Sequence, residues 1–310
     1  MTPKLAEKAD TGATGHREFL ASLSPQQKKR LTEKSDAKGT AALAAHAGAI
    51  LLLGGLIAAR VPFWPLLMVP QGIAIIFLFT TLHETIHRTA FATPWINDAV
   101  ARVCGFLILL PSEWFRFFHF AHHRHTQDPE RDPELARPKP KAVGQYIVHV
   151  SGLPVWVRQA ATLLWLAFRG TSDDFVPPAA RPQIAREARL MLALYALLAA
   201  LSIAAGSAVL VYVWIIPAIL GQPFLRLYLL AEHGRCAFVA NMFENSRTTF
   251  TNRLVRRLAW NMPYHAEHHA FPGVPFHRLP EFHRLTKSHL RETEDGYVHF
   301  HGRYVRSLGG

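Results

Sequence analysis

The chain has 310 residues, 50% of them hydrophobic, with 34 Lys and Arg against 22 Asp and Glu and a formal net charge of +12. Cys104 and Cys236 are its only cysteines, and neither lies in a CxxC pair, which excludes a disulfide framework and a thiolate metal site. A basic excess suits nucleic acid, but no groove-reading motif is present and the cations follow a membrane pattern, so no nucleic-acid partner is expected.

Residues 1–38 are polar and lysine-rich, with no apolar run of the kind a signal peptide needs. They are expected to form a loose tail, with a short surface helix near Glu18–Arg30. Residues 39–310 are expected to be one membrane domain. Four apolar runs, 41–60, 62–82, 188–205 and 208–231, carry almost no charge apart from Arg60, Arg189 and Arg226. About 20 helical residues cross a bilayer core of about 30 Å. The expected fold is therefore all-α: an integral membrane protein with four transmembrane helices in two hairpins. Between the hairpins, 95–118 is too short an apolar stretch to span and reads as an interfacial or re-entrant helix. Residues 128–141 hold four prolines and many charges, as an exposed loop does. Residues 145–169 mix tryptophans with arginines and are expected along the membrane surface, and 171–182 return to loop composition. After His233 the chain is polar and basic, and is expected to form a helical cap.

Lys and Arg cluster in the N-terminal 40 residues, in 84–190 and in the C-terminal 80, with Arg60 alone in a hairpin connection. The positive-inside rule then places both termini, the middle segment and the cap on the cytoplasmic side, which suggests a bacterial cytoplasmic membrane. A basic face there suits anionic lipid headgroups and an acidic partner protein.

Three histidine clusters stand out: HETIH (His83, His87) and HFAHH (His119, His122, His123), each at the end of an apolar stretch, and HAEHH (His265, His268, His269). Spacings of i,i+3 and i,i+4 put each set on one helical face. Eight imidazoles can hold two metal ions, more than a closed four-ligand zinc site needs. No carboxylate sits inside the boxes at the spacing a bridged di-zinc site would use. Two iron ions with open positions could activate dioxygen, and the adjoining spans could deliver a greasy chain. His233, after the fourth run, is a candidate ninth ligand. His125 reads as a neighbour of the site, His46 and His149 as packed or interfacial, and His277, His283 and His289 as surface residues. Glu84, Asp128, Asp132, Glu232 and Glu267 are candidates to orient imidazoles and offset the metal charge. Asn261, one turn before His265, could hold a metal-bound water. No catalytic residue separate from the ligands is expected.

The three boxes in this order, with the stretch NMPYHAEHHAFPGVPFHRLP, resemble the membrane fatty-acid desaturase family, over about residues 60–285. The resemblance implies two irons held by the eight box histidines, with His233 in the place of a further ligand found in acyl-CoA desaturases. Those relatives carry an asparagine one turn before that histidine; here the position is Leu229, leaving the water contact absent or supplied by Asn261. The first box has three intervening residues, not the four of acyl-CoA desaturases, and the third begins with His265 where front-end desaturases often have glutamine. The haem motif HPGG has no counterpart beyond FPGV at 271–274, so the resemblance implies a separate ferredoxin- or cytochrome-type electron donor. The leading expectation is an oxygen-dependent acyl desaturase acting on a lipid or acyl substrate. The alternatives are a hydroxylase or ketolase of an acyl, alkane or carotenoid substrate, and a non-enzymatic membrane metal transporter. The last would need ionisable residues inside the spans, which hold little beyond Arg226 and His46.

Overall fold

A computed structural model of the protein describes residues 15–308. Four helical stretches, Pro25–Ala58, Trp64–Ile86, Pro178–Ala204 and Val211–His233, are long and apolar enough to cross a membrane. Each overlaps one of the four expected runs, stopping one to three residues short of it at one end and extending past it at the other. Two short helices, α1 (His16–Ser22) and α2 (Pro25–Leu31), precede α3 (Asp36–Ala58). The second stretch divides into α4 (Trp64–Ile76) and α5 (Leu78–Ile86). The connecting region holds α6 (Pro94–Leu107), α7 (Ser112–His125), α8 (Val143–Ser151) and α9 (Leu153–Phe168). The third stretch is α10 (Arg181–Ala204), and a π-helical turn, Val211–Ile215, leads into α11 (Ile216–His233). The C-terminal part carries α12 (Met242–Asn245), α13 (Arg253–Leu258), α14 (His265–Ala270), α15 (Leu279–Thr286) and α16 (Tyr297–Arg306). A two-residue parallel ladder pairs β1 (Thr248–Thr249) with β2 (Thr293–Glu294).

The apolar surface belongs in lipid. Leu51, Leu52, Leu197, Leu201 and Ile203 are exposed on α3 and α10, a display that water would penalise and acyl tails would not. α4 and α11 form the inner pair. They cross at Gly72 and Gly221, where a Cβ on Gly72 would stand 1.8 Å from the Pro217 carbonyl oxygen and one on Gly221 2.1 Å from that of Gly72. Only glycine permits so close a backbone approach. His46 ties α3 to this pair, its Nε2 donating to the Ala74 carbonyl at 2.8 Å while its Nδ1 accepts from the Trp260 indole at 3.3 Å. It is packed, as expected.

α6 and α7 meet at a bend of 101°, the form of a re-entrant or broken span that 95–118 suggests. The bend is braced by ions: Asp98 accepts from Arg88 at 2.9 Å and Arg116 at 2.7 Å, and Glu113 from Arg102 at 3.1 Å.

Two expectations need correction. The N-terminal segment is not loose from residue 15 onward, although residues 1–14 lie outside the described part. Phe19, Leu23 and Leu31 are buried, with the Phe19 ring packed on Phe243 and Phe282. The helix foreseen near Glu18–Arg30 is broken in two because Ser24 caps α2, accepting from the Gln27 amide at 3.2 Å, and Pro25 occupies its first position. The proline-rich 128–141 loop is also not wholly exposed. Asp132 and Pro140 are buried, and the loop folds back against the end of α7.

Candidate metal centre

The histidines come from four elements. α5 supplies His83 and, at its C-cap, His87; the second half of α7 supplies His119, His122 and His123; α11 ends on His233; α14 carries His265, His268 and His269. Ring nitrogens of His83, His87, His119, His123 and His268 all lie within 4.8 Å of one another, as do those of His122, His233 and His269. His265 joins the second group, its Nε2 lying 2.9 Å from His233 Nε2. His125 belongs to neither group.

The hydrogen bonds behind the rings show which nitrogens face the centre. His122 Nδ1 donates to Asp132 Oδ1 at 2.9 Å, and His233 Nδ1 to the Asn245 carbonyl at 3.1 Å. The Thr126 hydroxyl donates to the His122 carbonyl at 2.8 Å, so at 3.1 Å from His269 Nδ1 its oxygen accepts. Each donation fixes the proton on Nδ1 and leaves a lone pair on Nε2. Those lone pairs converge: His122 Nε2 and His233 Nε2 are 3.1 Å apart, and His269 Nε2 is buried with no partner. Neutral acceptors facing one another repel unless a cation lies between them. In the first group His119 Nε2 is 3.0 Å from His87 Nε2 and 2.9 Å from His123 Nε2, while both nitrogens of His83 and of His268 are buried without a partner. Burial holds His265, His268 and His269 well below the ordinary imidazole value of 6.5, in the neutral form a metal requires. The donor set fits a pair of metal ions.

The candidate carboxylates divide. Asp132 braces His122, and Glu232 Oε1 lies 3.3 Å from His265 Nδ1. Glu267 turns away from the rings, accepting instead from the Thr248 hydroxyl and His283 Nδ1, and so anchors α14 against β1 and α15. His283 is thus a partner of the site's support and not a surface residue. Glu84 Oε1 accepts from the Phe276 amide at 2.9 Å and fastens α5 to the loop after α14. Asp128 is spent on its own turn, accepting from the Glu130 amide at 3.0 Å and from Arg131 Nε at 2.8 Å. Asn261 donates to the Phe276 carbonyl at 3.0 Å, so its amide pins a loop and faces no imidazole.

Sequence reasoning overlooked Thr126, Asn245 and Glu134, whose Oε2 lies 3.4 Å from His122 Nε2. It also overlooked Gln127. This residue has a left-handed backbone (φ 60°) that reverses the chain after the second box. Its amide donates to Asp132 Oδ2 at 2.9 Å and its side chain to the His233 carbonyl at 3.0 Å. Thr126 directly follows the box region and was legible by proximity; Asn245 acts through its backbone and left no signal.

The family model for fatty acid desaturases matches residues 58–301. The chain belongs to the fatty acid desaturase family. An omega-6 fatty acid desaturase of the endoplasmic reticulum from Brassica juncea is 29% identical over 106 residues, covering 33% of this chain and 27% of the relative. An acyl-lipid omega-3 desaturase (cytochrome b5) from Arabidopsis thaliana is 23% identical over 265 residues, 78% of this chain and 66% of the relative. Dihydrorhizobitoxine desaturase from Bradyrhizobium elkanii is 28% identical over 254 residues, 75% of this chain and 68% of the relative. The match thus spans from about a quarter to about two thirds of these desaturases' own lengths.

Proposed function

We propose that this protein is a membrane-bound, oxygen-dependent oxidoreductase that introduces a double bond into a fatty acyl chain, using two iron ions and an external electron donor. One cavity carries the reading. About 1210 Å³ in volume, it is lined by His83, His119, His122, His233 and His265 and by Phe79, Ile108, Leu110, Phe115 and Phe118, with Phe79 against His83 and Phe115 against His119. A concave site whose histidines adjoin aromatic and aliphatic side chains suits a methylene chain held against a metal centre.

In this reading His83, His87, His119, His123 and His268 hold one iron and His122, His233, His265 and His269 the other. Iron, once bound, supplies the redox chemistry that activates dioxygen for C–H cleavage. The remaining work falls to the chain. Asp132, Asn245 and Thr126 keep the proton on Nδ1 of His122, His233 and His269, so that Nε2 stays free to ligate. Glu134 and Glu232 offset positive charge at the second group. The aromatic wall excludes water and fixes which methylenes lie beside the ligands, the placement on which reaction outcome depends.

The four spans form two hairpins, with both termini and the histidine site on the cytoplasmic side of a bacterial membrane and residues 39–310 as a single domain. The second span runs directly into the first box and the fourth ends on His233, which supports a common membrane face for the two. Electrons come from a separate ferredoxin- or cytochrome-type protein, and the +12 net charge favours an acidic one.

Whole-lipid mass spectrometry of a host with and without the protein, supplied with such a donor, tests this. The expected product is an acyl lipid lighter by two hydrogens. A product heavier by one oxygen, labelled from dioxygen, would replace desaturation by hydroxylation.

A further inference from the structure

The same cavity holds charges that the chain leaves unanswered. Arg137, Lys139, Arg158 and Arg226 all line it. Among the described residues none of the four, of which Arg137 is exposed, has a carboxylate within ion-pair distance, whereas the interior cations Arg116 and Arg247 do, at 2.7 Å from Asp98 and 3.1 Å from Glu292. Lys139 Nζ, Arg158 Nε and Arg226 Nε are buried with no hydrogen-bond partner, as are His149 Nε2 and Gln159 Oε1 on the same wall. Unpartnered buried cations are costly, and their grouping around one void points to a ligand that completes them.

The acids on that wall do not serve. Glu232 lies 3.3 Å from His265, Glu134 lies 3.4 Å from His122, and Asp173 accepts from Trp114 Nε1 at 2.8 Å. Arg158 and Arg226 gather about His149, and Lys139 lies between them and the histidines, its charge reaching both His149 and His122. The turn between α8 and α9 sets the distance. Gly152 takes a left-handed backbone (φ 71°) and packs so close to α11 that a Cβ there would stand 2.3 Å from Gln222 Cγ. This docks His149 of α8 and Arg158 of α9 beside Arg226. Burial, then Arg226 and Arg158, push the His149 imidazole down to about 4, and burial with Arg137 lowers Arg158. Like charges are being held together. Arg226 precedes His233 by seven residues on one helix, about 10 Å along its axis.

We propose that Lys139, His149, Arg158 and Arg226 form a subsite for the anionic oxygen-bearing end of the substrate, a carboxylate or phosphate group, seated about two helical turns from the metal centre with the chain running toward the histidines. This rests on the cavity being the acyl site proposed above. Charged guanidinium and ammonium donors bind such oxygens more strongly than neutral ones. His149, expected to be packed or interfacial, is a member of the subsite.

The test is equilibrium binding to purified, iron-loaded protein in uncharged detergent, with two probe pairs: oleate against oleyl alcohol, and dioleoyl phosphatidate against dioleoylglycerol. The charged member of one pair is expected to bind at least about ten-fold tighter than its neutral partner. Preference for oleate identifies a free acid, and preference for phosphatidate a lipid headgroup. Lys139→Gln and Arg158→Gln should each shrink that ratio to below about three-fold, and Arg158→Lys should restore most of it. The thermal unfolding midpoint and iron content report folding of each variant. Equal binding within both pairs in the unaltered protein overturns the subsite, as does a ratio unchanged in both glutamine variants. Either result with alkene formation intact sinks the subsite alone; absence of alkene from every acyl lipid sinks the desaturase reading instead.

Discussion

A histidine becomes a ligand through what stands behind it. Asp132 and Thr126 accept from Nδ1 of His122 and His269 and so present Nε2 to the centre. Asp132→Ala and Thr126→Val remove those acceptors without touching a ligand, and loss of such support typically costs 10- to 100-fold in metal affinity or activity, about the fall expected here. A competitive chelator titration of iron measures it. His125→Ala, outside both groups, should bind iron as the unaltered protein does. Affinity unchanged by Asp132→Ala would remove the proposed role of that carboxylate. The sequence made the eight box histidines legible because helical spacing collects them on three faces. It could not sort the acids, because a carboxylate near a box can equally close its own turn, as Asp128 does, or brace the helix from behind, as Glu267 does. Those choices depend on where the chain goes next, and the reversal at Gln127 is not written in any periodic pattern.

At the scale of elements, the long apolar helices were legible from length and absence of charge, since membrane spans have few other requirements. The packing of α1 and α2 was not, because three buried apolar side chains, Phe19, Leu23 and Leu31, are too few to stand out among lysines. Nor did the sequence show that α4 and α11 touch through backbone. Gly72→Ala places a methyl group against a carbonyl that belongs to a helix and cannot yield cheaply. It should destabilise the protein by about 3 kcal/mol, the upper part of the usual overpacking range. Gly48→Ala on α3, where nothing lies within 4 Å, should change stability by no more than about 1 kcal/mol. Thermal unfolding in detergent compares the two. Equal midpoints would mean that the helices separate easily at this crossing, and the positions of α5 and His233 at their ends would then need another cause.

For the whole molecule, the histidine site is a junction among parts that otherwise pack on different partners. α5 and α11 continue spans, α7 follows the bend, and α14 belongs to the C-terminal part. Without a cation the facing Nε2 lone pairs repel, and relief by moving a proton to Nε2 would break the Nδ1 bonds to Asp132, Asn245 and Thr126. Either way the junction loosens. Any ligand bound only by the folded state stabilises it by mass action, about 4 kcal/mol at a free concentration a thousand times its dissociation constant. Removing iron with a membrane-permeant chelator should therefore lower the unfolding midpoint and speed amide exchange in α14 and the second half of α7. The amides of α3 and α10 lie outside the junction, with their exposed apolar surface in lipid, and should exchange as before. Exchange that rises equally along all four spans would show that the metals support the whole membrane fold. Exchange that does not change anywhere would show that the histidine junction is held by packing alone, through the Glu84–Phe276 and Glu267–His283 contacts.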